Sequence, residues 1–180
     1  MNARMCKKLL AISLILLAGC VAKEKPQQRA APEKFVLTLN AQEMQHMCTS
    51  PIYLSDLTKS FSLPLGGDDR SVALGELLDQ AVQKVFWKET RPAVAGSVPP
   101  VVTLGFDGGT GAYRDSTLYV RISLQFQVFK PNGQSYLDVA VGEASSSTES
   151  DAVVVNAALQ QALGRLAGVL RSAGICRAMR

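Results

Sequence analysis

From Leu118 to Val128, six apolar residues (Leu118, Val120, Ile122, Leu124, Phe126 and Val128) alternate without a break with Tyr119, Arg121, Ser123, Gln125 and Gln127. A period of two over this length belongs to an extended strand, because a helix would scatter the apolar set around its circumference. Such a strand buries one face and wets the other, so the chain must supply a cover for the apolar side. Lys130-Pro131-Asn132-Gly133 turns the chain, and Leu137, Val139 and Val141 return on a second strand. The two strands make a long antiparallel hairpin.

Two helices are available as the cover. In Val72–Glu89, Leu74, Leu77, Leu78, Ala81, Val82, Val85 and Phe86 follow the i, i+3, i+4, i+7 spacing. From Asp151 to Ala173, Val155, Leu159, Ala162, Leu163, Leu166, Val169 and Leu170 do the same, and Gly174 is the stop. The expected fold is α+β: a mainly antiparallel sheet with a long hairpin and two helices packed on one face. Phe35–Asn40 and Val101–Phe106 read as further strands, Pro51–Leu63 as extended chain, and Asp107–Gly111 as a turn between strands. Gly164, Gly168 and Ser172 recur every four residues on the last helix. That stripe suits tight seating on the sheet, or room for a neighbouring chain.

The N-terminus reads differently. Arg4, Lys7 and Lys8 precede the short apolar run Leu9–Leu17, which ends in Leu17-Ala18-Gly19-Cys20. The run is shorter than the roughly 20 residues of a membrane-spanning helix and has the layout of a secretory signal. Leu-Ala-Gly-Cys resembles the lipobox of bacterial lipoproteins. That resemblance implies cleavage before Cys20, with a diacylglycerol on its thiol and an acyl chain on its new amino group; no other cofactor is expected. Residues 1–19 are then signal peptide, 20–34 a lipidated N-terminus and flexible tether, and 35–180 a single periplasmic domain. Val21, in the place where Asp marks inner-membrane retention in enteric-type bacteria, implies the periplasm-facing side of the outer membrane. The order of elements is also similar to that of small Gram-negative outer-membrane lipoproteins and the auxiliary lipoproteins of envelope transport systems.

Charge and cysteines follow from that reading. The formal charge of +4 falls once three bases leave with the signal, since the remaining 16 Lys and Arg face 15 acids. With no basic stripe and no aromatics interleaved with Lys or Arg, nucleic acid is excluded as a partner. Cys6 is discarded and Cys20 is lipidated, leaving Cys48 and Cys176 as a pair in an oxidising compartment; a disulfide between them is expected, with two free, buried thiols as the alternative. The disulfide would close a loop of about 129 residues.

Chemistry-bearing residues are sparse. Met44, His46, Met47 and Cys48 include soft ligands suited to Cu(I), but a packed strand end beside a disulfide accounts for them, and no metal is expected. Gly108-Gly109-Thr110-Gly111 lacks the Lys-Ser/Thr and the following helix of a phosphate loop. Ser145–Thr148 has hydroxyls without a visible base, and His46 is the single histidine, so no catalysis is expected. The expected function is a non-catalytic accessory lipoprotein of a larger envelope or transport assembly. A module binding an amphiphile or lipid is the alternative, and an envelope hydrolase a remote one. Tyr119, Arg121 and Phe129, on the wet face of the hairpin, have the residue types of a protein contact and are the expected partner-binding residues; a plain solvated face is the other reading.

Overall fold

The computed structural model describes residues 31–38, 45–67, 70–88 and 99–179. The expected signal segment, Cys20 and Met44 lie outside the described residues. The elements in chain order are β1 (His46–Cys48), β2 (Ile52–Leu54), α1 (Asp56–Lys59), β3 (Leu63–Pro64), β4 (Ser71–Val72), α2 (Leu74–Val85) and β5 (Phe86–Lys88). They continue with β6 (Val101–Arg114), β7 (Thr117–Phe129), β8 (Ser135–Ser146), α3 (Asp151–Ser172) and β9 (Cys176–Ala178).

The main sheet has the order β2-β6-β7-β8, antiparallel apart from the parallel β2–β6 pair. Its core face carries the six apolar residues of β7, all of them buried, as their alternation requires. The buried residues of α2 and α3 join them in one hydrophobic cluster, so both long helices lie on that side of an α+β fold. Leu159, Leu163, Leu166 and Ile122 are among the fully buried side chains that fill the layer.

Strand β8 buries the less apolar of its two faces. Tyr136, Ala140, Gly142 and Ala144 take the core face, while Leu137, Val139 and Val141 turn to the opposite, open side. The reason is the closeness of α3. A Cβ placed on Gly142 would come within 1.9 Å of the Ala158 carbonyl oxygen and 2.6 Å of the Ala162 nitrogen. Only small residues fit under the helix, and steric exclusion outweighs the transfer free energy of two valines and a leucine. The Gly164/Gly168/Ser172 stripe takes no part in this seating. It lies on the outer side of α3, where a Cβ on either glycine would meet nothing within 4 Å.

Asp107–Gly111 is likewise no turn. Strand β6 runs straight through it, with a bulge between Phe106 and Gly108, and its register with β7 extends to Arg114. Gly109 and Gly111 sit on the core face because Leu63 and Leu65 lie over them. A Cβ would meet Leu63 Cδ1 at 2.8 Å and Leu65 Cδ2 at 2.6 Å. The chain reverses instead at Asp115-Ser116, both with positive φ (48° and 65°), as a two-residue hairpin turn demands.

Phe35–Asn40 forms no strand within its described part. Its backbone is held by a side chain: Asn156 of α3, buried, accepts a hydrogen bond from Thr38 N (3.1 Å) and donates to Val36 O (3.1 Å) and Ala152 O (2.8 Å). Glu33 and Lys34, at the end of the expected tether, are also fastened. Glu33 exchanges backbone hydrogen bonds with Ser71 and Ala73, and its carboxylate meets Arg70 (2.8 Å), which also reaches Asp151 (2.9 Å) at the start of α3. Lys34 pairs with Glu76 at 3.0 Å. Removing the Asn156 clamp takes away the side-chain partners of Thr38 N and Val36 O. An Asn156→Leu variant is expected to lose about 2–3 kcal/mol and to expose the chain near Phe35 to proteolysis, as read by limited digestion and thermal melting.

A second, three-stranded sheet, β5-β1-β9, lies past the C-terminal end of α3. Strand β1 is central, parallel to β5 and antiparallel to β9. Cys48 and Cys176 face each other in the β1–β9 register and are joined by a disulfide.

Candidate functional site

Among the described residues nothing covers the face of the main sheet turned away from the helices, and the expected partner residues are all on it. Tyr119 is 48% exposed and Phe129 40%. They stand ten positions apart on β7, about 34 Å along an extended strand. The structure therefore places the three residues at two ends of one surface.

The end beside the Asp115-Ser116 turn is charged. Arg121 is opposite Thr110 on β6 and Glu143 on β8, and its guanidinium meets Glu143 at 3.2 Å. Arg114 lies over the Tyr119 ring, 5.9 Å from its centroid. Ala112, opposite Tyr119, is too small to fill its place in the row, which leaves an open hollow of about 530 Å³. Arg121–Glu143 is exposed at both ends, a geometry that orients the guanidinium more than it stabilises the fold.

The other end is apolar. Phe129 pairs with Val101 of β6, and Leu137, 57% exposed, lies diagonal to it on β8 beside Val139. Tyr53 on β2 extends this patch next to Thr103. Between Tyr53 and Leu137 the floor drops at Gly105, forming a hollow of about 360 Å³ with Gln125 and Gln127. Tyr53, Val101, Leu137 and Val139 were missed by sequence reasoning, the last two because hydrophobicity alone assigns them to the core. The run Ala140-Val141-Gly142-Glu143-Ala144 carried the signal: small residues on one register mark a helix crossing at close range.

Strand β8 is the edge of the sheet, and two of its amide groups are already occupied. Val139 N donates to Asp138 Oδ1 (2.7 Å), and Glu143 N donates to Gln161 Oε1 of α3 (2.6 Å). Side chains thus blunt this edge against strand addition.

Of the Met/His/Cys group, Met44 lies outside the described residues. Cys48 is spent in the disulfide, and His46 is buried against Phe86, ring centroids 6.0 Å apart. Burial, with the nearby Arg171 charge second, lowers the His46 pKa. Among the described residues no three His, Cys, Asp or Glu side chains gather as metal ligands.

No family model matches the chain, and no curated protein matches it. Among solved structures it is similar to protein XCC0632 from Xanthomonas campestris, of the family DUF330, at 12% identity and a TM-score of 0.49. That match covers 80% of this chain and 96% of the other. A second crystal structure, of an uncharacterised protein, aligns at 13% identity and a TM-score of 0.45, covering 81% and 99%.

Proposed function

We propose that this chain is a non-catalytic, lipid-anchored accessory protein of the bacterial envelope, delivered to the periplasm-facing side of the outer membrane and docking a partner protein on its open sheet face. The anchor rests on the lipobox-like Leu17–Cys20 and on Val21. The docking role rests on one observation: a sheet face with exposed Phe129, Leu137 and Val101 at one end and Arg121, Arg114 and Tyr119 at the other. Large apolar side chains next to one another on an uncovered face, flanked by Arg and Tyr, match the make-up of protein contacts.

A second reading is an amphiphile-binding module. The layer between sheet and helices is filled by side chains such as Leu163 and Leu166, so the hollow beside Tyr53 and Leu137 is where an apolar tail would lie. Native mass spectrometry of the delipidated protein separates the readings, since retained lipid supports the second.

Cys20→Ala is expected to leave an unprocessed precursor with no fatty-acid label; palmitate incorporation into that variant would refute the anchor. Tyr119, Arg121 and Phe129 are exposed, so replacing all three by Ala should leave the far-ultraviolet circular dichroism and the acylation unchanged. Affinity capture from envelopes should then lose the protein that accompanies the wild type. Unchanged capture with an intact fold would remove this face as the interface.

A further inference from the structure

The hollow beside Tyr53 and Leu137 is built on one row of the register. Tyr53 on β2, Thr103 on β6, Gln127 on β7 and Leu137 on β8 stand side by side on the open face. With neighbouring strands about 4.8 Å apart, the two end positions are about 14 Å from each other. Tyr53 and Leu137, 54% and 57% exposed, form the walls. In the next row Gly105 is opposite Gln125, and its lack of a side chain lowers the floor. Gln125 and Gln127 are half-buried there, unlike Tyr119, Arg121 and Phe129 on the same face of β7, which are exposed.

The lining is uncharged. It consists of Tyr, Thr, Gln, Ser, Leu and Gly residues, without Asp, Glu, Lys, Arg or His. Two of its hydroxyls are already used: Ser55 Oγ accepts from Thr58 N (3.1 Å) at the start of α1, and Thr58 Oγ1 donates to Leu104 O (3.4 Å). The others are not. Among the described residues, the hydroxyls of Tyr53 and Thr103 and the side-chain amides of Gln125 and Gln127 have no hydrogen-bond partner. Each amide carries two donors and an acceptor, and alternate residues of a strand stand about 7 Å apart. The floor therefore presents a pair of donor–acceptor groups between two walls with apolar surface.

We infer that this hollow binds a neutral oligosaccharide, with Tyr53 and Leu137 against the C–H faces of its rings and Gln125, Gln127 and Thr103 on its hydroxyls. The chemistry of the lining selects this occupant. A phosphate, carboxylate or ammonium group would exchange its water for a surface that holds no opposite charge. An alkyl tail would cover both amides and the Thr103 hydroxyl and leave each desolvated without a partner. A pyranose ring has an apolar face and a rim of groups that donate and accept, which matches walls and floor together. The inference goes beyond protein docking on this face and competes with the amphiphile reading of the same hollow.

The mature lipoprotein, isotope-labelled and held in phosphatidylcholine nanodiscs, is titrated with maltotriose, cellotriose and chitotriose. The expected result is that at least one of the three moves the side-chain amide resonances of Gln125 and Gln127. Gln127→Leu should weaken that binding about tenfold, the effect of losing one or two hydrogen bonds. Leu fits a strand, so the backbone amide spectrum should otherwise keep its wild-type pattern. Tyr53→Ala, at an exposed position, is the second variant and should weaken binding as well. Replacing Tyr119, Arg121 and Phe129 by Ala should leave sugar binding unchanged, so loss of a captured protein and loss of sugar are read separately. If none of the three sugars moves the Gln125 and Gln127 signals, the inference is overturned. Binding that is unaltered in both Gln127→Leu and Tyr53→Ala overturns it too. Lipid retained by the delipidated chain in native mass spectrometry, and increased by Gln127→Leu, with no response to sugar, would assign the hollow to an apolar tail instead.

Discussion

Gly142→Ala is expected to destabilise the domain by about 3–5 kcal/mol, lowering the melting temperature by about 10 °C or more. The new methyl group would sit 1.9 Å from the Ala158 carbonyl oxygen and 2.6 Å from the Ala162 nitrogen. Both are backbone atoms of α3, so no rotamer change relieves the clash; the helix must move. A shift of α3 would pull Leu159, Leu163 and Leu166 from the β7 side chains on which they pack. Gly168→Ala is the matching control on the same helix, where the added carbon meets nothing within 4 Å. There the gain in helix propensity should stabilise by about 0.5–1 kcal/mol. Two glycine substitutions of opposite sign, followed by thermal and urea unfolding, test whether close seating of α3 excludes large residues from the inner face of β8.

Cys48→Ala/Cys176→Ala should have an effect of similar size. Closing a loop of about 129 residues is valued at roughly 5 kcal/mol by chain entropy, an upper figure, and about 3–5 kcal/mol is the expected loss. The two residues are 1% and 7% exposed, so truncation also removes packed sulfur from the inner face of the small sheet. The variant should be cut by protease after Gly174, where β9 loses its covalent tie to β1, before the main sheet yields. In the wild type, reductant should act slowly in native buffer because Cys48 is shielded. Peptide mapping without reduction should recover the linked pair, and two freely alkylated thiols in native protein would refute the pairing.

The hairpin's core face was legible because alternation over eleven residues leaves a single geometric solution. Its partner strand was legible as a strand but not by face. Leu137, Val139 and Val141 are the more apolar register, and the competing term, the space left by α3, is not encoded in their hydrophobicity. Glycine misled in the same way at Gly109 and Gly111. It was read as backbone freedom when its use was the absence of a side chain beneath Leu63 and Leu65. The true turn at Asp115-Ser116 went unseen because neither residue is glycine. The three-residue strands β1, β5 and β9 are too short to show a period, although the expected Cys48–Cys176 disulfide brought together the two regions that hold β1 and β9. Of the candidate site, Tyr119, Arg121 and Phe129 were found from their alternation, but their division between a charged and an apolar end depends on Glu143, Val101 and Leu137 across the strands.

The central place of β1 in the small sheet has a kinetic consequence. Strand β5 is about forty residues downstream of β1 and can pair with it early, but β9 follows β1 by about 130 residues. A polypeptide emerging from its N-terminus holds β1 with one neighbour until Cys176–Ala178 has arrived. Pairings of such large sequence separation carry the loop-closure entropy that slows folding. Completion of the small sheet is therefore set by the arrival of β9. Until Cys176 reaches Cys48, the nascent domain retains an open strand edge and a free thiol, the features that chaperones and thiol oxidants engage.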